Sequence, residues 1–163
     1  MENCWICSIK KNKNYTFWEN DLLFAAFDNY PVSPGHTLLS TKRHIADFKN
    51  LTCKEWGNIY FSLQEIIQYL EKTNLTLIYE QFIKEYESNQ SVWFCKKALT
   101  HPRINKKPDG YNHGFNDGKA AGRTVDHFHW HIIPRFENDD TKTSQGGLRF
   151  VIPEMGDYFI PRP

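Results

Sequence analysis

The sequence predicts the α+β class, an antiparallel sheet packed with a long helix. Three observations point there. Short apolar runs bounded by turn residues stand in both halves of the chain, a long stretch with helical periodicity separates them, and the resulting order is strands, helical block, strands. At 163 residues one domain spanning 1–163 is expected, long enough to bury a core of its own.

The elements follow in order. The segment DLLFAAFD (Asp21 to Asp28) is short and apolar, which suits a buried strand. YPVSPG (Tyr30 to Gly35) carries two prolines and a glycine and reads as a turn. HTLLS (His36 to Ser40) then returns as the second strand of a hairpin. Thr52 with Glu55 matches a capping box, in which hydroxyl and carboxylate each satisfy an exposed backbone N–H of a starting helix. Trp56, Ile59, Tyr60, Leu63, Ile66, Ile67 and Leu70 recur behind it at helical spacing. KTNLT weakens the pattern. Leu75, Ile78, Tyr79, Phe82, Ile83 and Tyr86 resume it, as a second helix or a bent extension. Ser88 to Pro108 is mixed, with a loop-like HPRINKKPDG at its end. YNHGFN alternates like a strand, DGKAAGR is a turn, TVDHFHWHII is a strand ended by Pro134, and GGLRFVIP is a short last strand.

A net charge of +1 with mixed signs gives no broad field for nucleic acid or an anionic membrane. Negative mean hydropathy and the lack of a long apolar run argue against a membrane span, and the first residues lack the order of a signal peptide. The cytoplasm, with reduced thiols, is the expected compartment. Cys53 and Cys95 read as small buried hydrophobes. Cys4 and Cys7 form a C-x-x-C. It opens the chain rather than joining a strand to a helix, which favours metal over redox chemistry.

HFHWHIIPR concentrates the chemistry. Alternate strand residues share a face, so His127, His129 and His131 stand on one side while Phe128, Trp130 and Ile132 enter the core. Such a face suits a metal site or a nucleophilic imidazole, whose ordinary pKa of about 6.5 leaves it largely neutral near pH 7. The glycines of NDGKAAGRTV expose backbone N–H groups that can receive anionic oxygens, or they form an ordinary tight turn. His101 beside Pro102 reads as solvated, and His113 as a satisfied core or edge histidine.

HFHWHII has the His-x-His-x-His pattern followed by apolar residues and resembles the histidine triad (HIT) family of nucleotide hydrolases and transferases. FDNYPVSPGHTLLSTKRH resembles the family's first hairpin, DGYNHGFNDGKAAGRTVDHFHWHIIPR its catalytic half, and GGLRFVIP the tail of many bacterial-type members. The catalytic half looks closer to the Fhit-like and bacterial branches than to the Hint branch. Leu51 to Pro108 lacks a distinctive match, and about 71–107 looks like a helical insertion.

The resemblance implies a HIT-like fold, a homodimer joined through helix and sheet edges, and reaction at the α-phosphate of a nucleotide. It implies His129 as the nucleophile, forming a nucleotidyl-histidine that water cleaves, His131 as the ring that contacts phosphate and assists the leaving group, and His36 as its support. Asp28 matches a ribose-binding position, Asn116 a side chain facing the phosphates, and Thr124 a hydroxyl that holds phosphate oxygen. Arg123 departs from the family's usual Gln. It could pair with an extra phosphate or point to solvent. Some members hold structural zinc through residues matching Cys4, Cys7, His44 and His127. Dinucleoside polyphosphates are the expected substrates, accompanied by Mg2+. Nucleoside phosphoramidates, or binding with little turnover, are the alternatives.

Overall fold

The computed structural model describes residues 4–11, 15–137 and 139. Its sheet has five strands, β1 (Thr16–Glu19), β2 (Leu23–Phe27), β3 (Thr37–Thr41), β4 (Gly110–Gly114) and β5 (His129–Arg135). Their spatial order is β1-β2-β3-β5-β4, every neighbouring pair antiparallel. Four helices accompany it: α1 (Trp5–Lys11), α2 (Cys53–Leu70), α3 (Leu75–Glu85) and α4 (Asn89–Leu99).

Strand β2 shows why the sheet needs cover on both sides. All five of its residues are buried. Leu23, Ala25 and Phe27 join Leu39, Phe128 and Ile132 in a core completed by Ile59, Ile66 and Leu70 of α2, Leu75, Tyr79 and Phe82 of α3, and Cys95 and Ala98 of α4. Phe24 and Ala26, one residue out of phase, pack on the other face against Ile6 and Ile9 of α1. Cross-strand partners share a face, so Ser40 and Leu38 carry His129 and His131 onto the α1 side. His129 and His131 therefore lie on the face opposite α2, α3 and α4.

The capping box holds: the Thr52 hydroxyl accepts the Glu55 N–H and the Glu55 carboxylate accepts the Thr52 N–H. The second helical stretch is a separate helix, with Asn74 as its N-cap. Asn105, at φ 61°, reaches back to accept the Leu75 N–H at 2.7 Å and so ties the end of the helical block to its start.

Several expectations need correction. The C-x-x-C does open a helix: Cys4 precedes α1 and Cys7 lies in its first turn. Strand β1 and helix α4 were not expected. In α4 the buried side is made of Ser91, Cys95 and Ala98, small residues that give little apolar periodicity. The histidine strand begins at His129, and His127 lies in the bend before it. Trp56 and Tyr60 keep the helical spacing but are 45% and 62% exposed. Cys53 is exposed, whereas Cys95 is buried as expected. GGLRFVIP lies outside the described residues.

Candidate active site and metal centre

Two histidine clusters share the α1 side of β5. In the first, His129 points its Nδ1 at the main-chain carbonyl of His127, 2.6 Å away. A carbonyl only accepts, so Nδ1 carries the proton and the Nε2 lone pair faces outward. His131 stands beside it with ring centroids 5.0 Å apart. Its Nδ1 meets His36 Nε2 at 3.0 Å. His36 Nδ1 accepts the Val32 N–H at 3.4 Å, which assigns the His36 proton to Nε2, donated to His131. The neutral His131 ring then carries its own proton on Nε2, positioned as a donor.

Burial, reinforced by the neighbouring histidines, pushes His36 and His131 down to about 4 each, so both rings are neutral near pH 7. Asp28 is buried, and its carboxyl is raised chiefly by desolvation. Its Oδ1 accepts the Tyr30 N–H at 2.8 Å, and its Oδ2 lies 3.6 Å from His36 Nδ1. Asp28 thus sits behind the histidine pair. The turn that presents His36 is held from the far side of the sheet, where the buried Tyr79 hydroxyl accepts the Gly35 N–H at 2.8 Å. Gly35 has φ +85°, and a Cβ there would stand 3.2 Å from Pro134, so only glycine fits this turn without strain.

Residues 115–128 form the approach to β5. Asn116 donates to the Gly122 carbonyl at 3.3 Å, and Thr124 is exposed on the same loop. Of the two expectations for Arg123, pointing to solvent is not met. Its guanidinium donates to Asp47 Oδ1 at 2.8 Å and the Ala46 carbonyl at 3.1 Å, with Asp117 and Asp126 beside it, and so clasps the loop to the segment after β3. His101 is half-buried against Phe136 and accepts the Arg103 N–H, rather than being solvated. The His113 Nδ1 is buried without a hydrogen-bond partner among the described residues, so it is not the satisfied ring expected.

The second cluster joins Cys4, Cys7, His44 and His127, whose donor atoms all lie within 4.8 Å of one another. His127 Nδ1 is 3.6 Å from Cys4 Sγ and 3.5 Å from Cys7 Sγ, and His44 Nδ1 is 3.3 Å from Cys7 Sγ. Bond lengths of about 2.3 Å to sulfur and about 2.0 Å to nitrogen put tetrahedral S and N ligands about 3.5 Å apart, so this donor set fits zinc. His127 Nε2 donates to the Thr41 carbonyl at 2.8 Å, which leaves Nδ1 free to ligate. Thr41, and the His127 carbonyl that fixes His129, were missed because a main-chain acceptor has no residue signature.

A sequence profile of the HIT domain matches residues 10–138. The chain belongs to the HIT family. It is 28% identical over 137 residues to an uncharacterized HIT-like protein of Mycoplasma genitalium, covering 83% of this chain and 74% of that one. It is 33% identical over 128 residues to bis(5'-adenosyl)-triphosphatase of Dictyostelium discoideum, covering 76% of this chain and 64% of that protein. Among solved structures, a HIT family protein from Bacillus anthracis superposes with a TM-score of 0.60 at 26% identity, covering 90% of this chain and 81% of that one. A Zn-bound histidine triad family protein from Mycobacterium smegmatis shares the fold, with TM-score 0.59, 23% identity and coverage of 85% and 79%. This HIT chain has no described helix long and apolar enough to cross a membrane.

Proposed function

We propose that this chain hydrolyses dinucleoside polyphosphates, or related nucleotide conjugates, at the α-phosphate through a nucleotidyl-histidine. The observation that carries the reading is the tautomer assignment: the 2.6 Å bond to the His127 carbonyl frees His129 Nε2, beside a His131 ring held as a donor by His36. Nε2 attacks the α-phosphorus, the P–O bond to the leaving nucleotide breaks, and His131 gives that oxygen its Nε2 proton. Water then attacks the same phosphorus, passes a proton to His131, and the P–N bond breaks to release the nucleoside monophosphate. Asp28, Asn116 and Thr124 are the substrate contacts in this reading. Arg123 acts on the loop that carries the last two. The triphosphatase of Dictyostelium supports the substrate class.

Zinc belongs to the same proposal, held by Cys4, Cys7, His44 and His127. Bound there it acts as a structural cross-link between α1, the segment after β3 and the entry to β5. A homodimer is also proposed. The exposed Trp56, Tyr60 and Phe61 of α2 and strand β4, an edge of the sheet among the described residues, offer an apolar face and backbone for a second copy.

Product analysis on diadenosine tri- and tetraphosphate and on an adenosine phosphoramidate tests the activity. AMP release from the polyphosphates is expected. Turnover of the phosphoramidate alone would make the chain a purine nucleoside phosphoramidase, and no turnover of any would make it a binding module.

A further inference from the structure

The C-x-x-C motif brings two thiols together at the start of a helix. The Cys4 carbonyl accepts the Ser8 N–H at 3.1 Å, so Cys4 caps α1 and Cys7 stands three residues on, on the same side of the first turn. Both sulfurs turn to one ring: His127 Nδ1 is 3.6 Å from Cys4 Sγ and 3.5 Å from Cys7 Sγ. The two cysteines are half-buried and His44 beside them is exposed, whereas His127 is fully buried. The cluster is thus closed on the His127 side and open to small solutes on the sulfur side. The other thiols differ. Cys95 is buried in the core, and desolvation pushes it up to about 12, which keeps it protonated and inert. Cys53 is exposed at the start of α2, outside the cluster.

What the sulfurs hold is α1. Its seven residues are too few for a helix to persist without tertiary contacts. Ile6 and Ile9 give it a small apolar contact with Phe24 and Ala26, on the sheet face that carries His129 and His131. Its cysteines give it the tie to His44, after β3, and to His127, whose carbonyl accepts His129 Nδ1–H. His127 is also anchored through Nε2 to the Thr41 carbonyl, so breaking the sulfur tie leaves that ring in place and falls on α1 and His44.

We propose that Cys4 and Cys7 form a thiol–disulfide switch: a peroxide oxidises the pair to a disulfide, the metal leaves, and α1 is released from the entry to β5. This rests on the zinc reading above. Zinc bound there keeps both sulfurs as thiolates, the form that attacks peroxide. One thiolate attacks a peroxide oxygen; an S–O bond forms, the O–O bond breaks, and the hydroxide takes a proton and leaves as water. The second thiolate attacks that sulfur; the S–S bond forms, the S–O bond breaks, and a second water leaves. The sulfurs give up two electrons, which reduce the peroxide. The disulfide offers no thiolate, so only the two imidazoles of the donor set remain. A dithiol reductant reverses the step by taking the disulfide form itself.

The test uses the full chain carrying Cys53→Ser, which removes the other exposed thiol. Zinc content is read first. Stoichiometric hydrogen peroxide should then release the zinc to a chromogenic chelator and remove two hydrogens from the peptide that carries both Cys4 and Cys7, as read by mass spectrometry. Hydrogen exchange should show a loss of amide protection across α1, with β2 and β3 unchanged. Zinc added to the oxidised chain should restore nothing, whereas dithiothreitol followed by zinc should restore both metal and protection. If the chain holds zinc and peroxide leaves it in place, or ejects it with oxygen added to the cysteines and no disulfide, the switch is refuted while the zinc reading stands. A disulfide that leaves α1 as protected as before refutes it as well. A chain that holds no zinc at the outset ends the zinc reading and the switch with it.

Discussion

The buried His36 ring makes stability pH-dependent in a way that can be isolated. It is 3% exposed, and burial lowers it from an ordinary 6.5 to about 4. Below pH 6.5 the unfolded chain takes up a proton there that the folded chain refuses until about pH 4. The unfolded state therefore binds more protons in this window, and stability falls as pH falls through it. Linkage over that interval gives about 2 kcal/mol lost from this ring alone at pH 5, against almost nothing at pH 7. Urea denaturation of the wild type and His36→Asn at both pH values measures it. The wild type should lose about 2 kcal/mol more than the variant between pH 7 and pH 5. Contributions from the histidines that do not touch His36, and any loss of zinc, are common to both proteins and cancel, and running the pair in a His131→Asn background removes the one ring that does. Equal losses would show that His36 is not held neutral, and the tautomer relay to His131 would lose its basis.

The remaining predictions concern the parts that hold the site. Tyr79→Phe leaves the Gly35 N–H buried without an acceptor and should cost about 1–3 kcal/mol, lowering Tm by several degrees in a thermal melt. Its circular dichroism below the transition should match the wild type. Cys7→Ser should lower the bound zinc measured on the purified protein and expose the α1 region to proteolysis; a wild type free of zinc would sink the metal proposal. Arg123→Gln should raise KM by the same factor for substrates of every phosphate number, since the guanidinium is held by Asp47 and Ala46. A loss concentrated on the longest polyphosphate would restore a direct phosphate contact.

What was legible in the sequence was whatever repeats or alternates. The β2–β3 hairpin, the α2 start at Thr52, and the inward turn of Phe128 and Ile132 all follow from spacing and end signals. The Cys4, Cys7, His44 and His127 set was legible through the family pattern, and the structure brings those four together. Helix α4 was not, because Ser91, Cys95 and Ala98 bury without being strongly apolar. Strand β1 has only four residues, too few for alternation to declare itself. The bend that takes His127 out of β5 depends on Phe128 bonding the Ile45 carbonyl, a long-range main-chain contact that no local window contains. The ion pairs of Arg123 were not legible for a related reason: its partners Asp47 and Asp117 look like ordinary loop residues until the fold brings them to it.

Everything proposed for the active site converges on His129 Nε2 as the atom that takes the nucleotidyl group. Intact-protein mass spectrometry, quenched in acid-free denaturant during turnover of diadenosine tetraphosphate, tests that most directly. The account predicts an adenylyl adduct that maps to His129 and disappears, together with all turnover, in His129→Ala. Turnover of that variant at the wild-type rate, or an adduct on another residue, would contradict it.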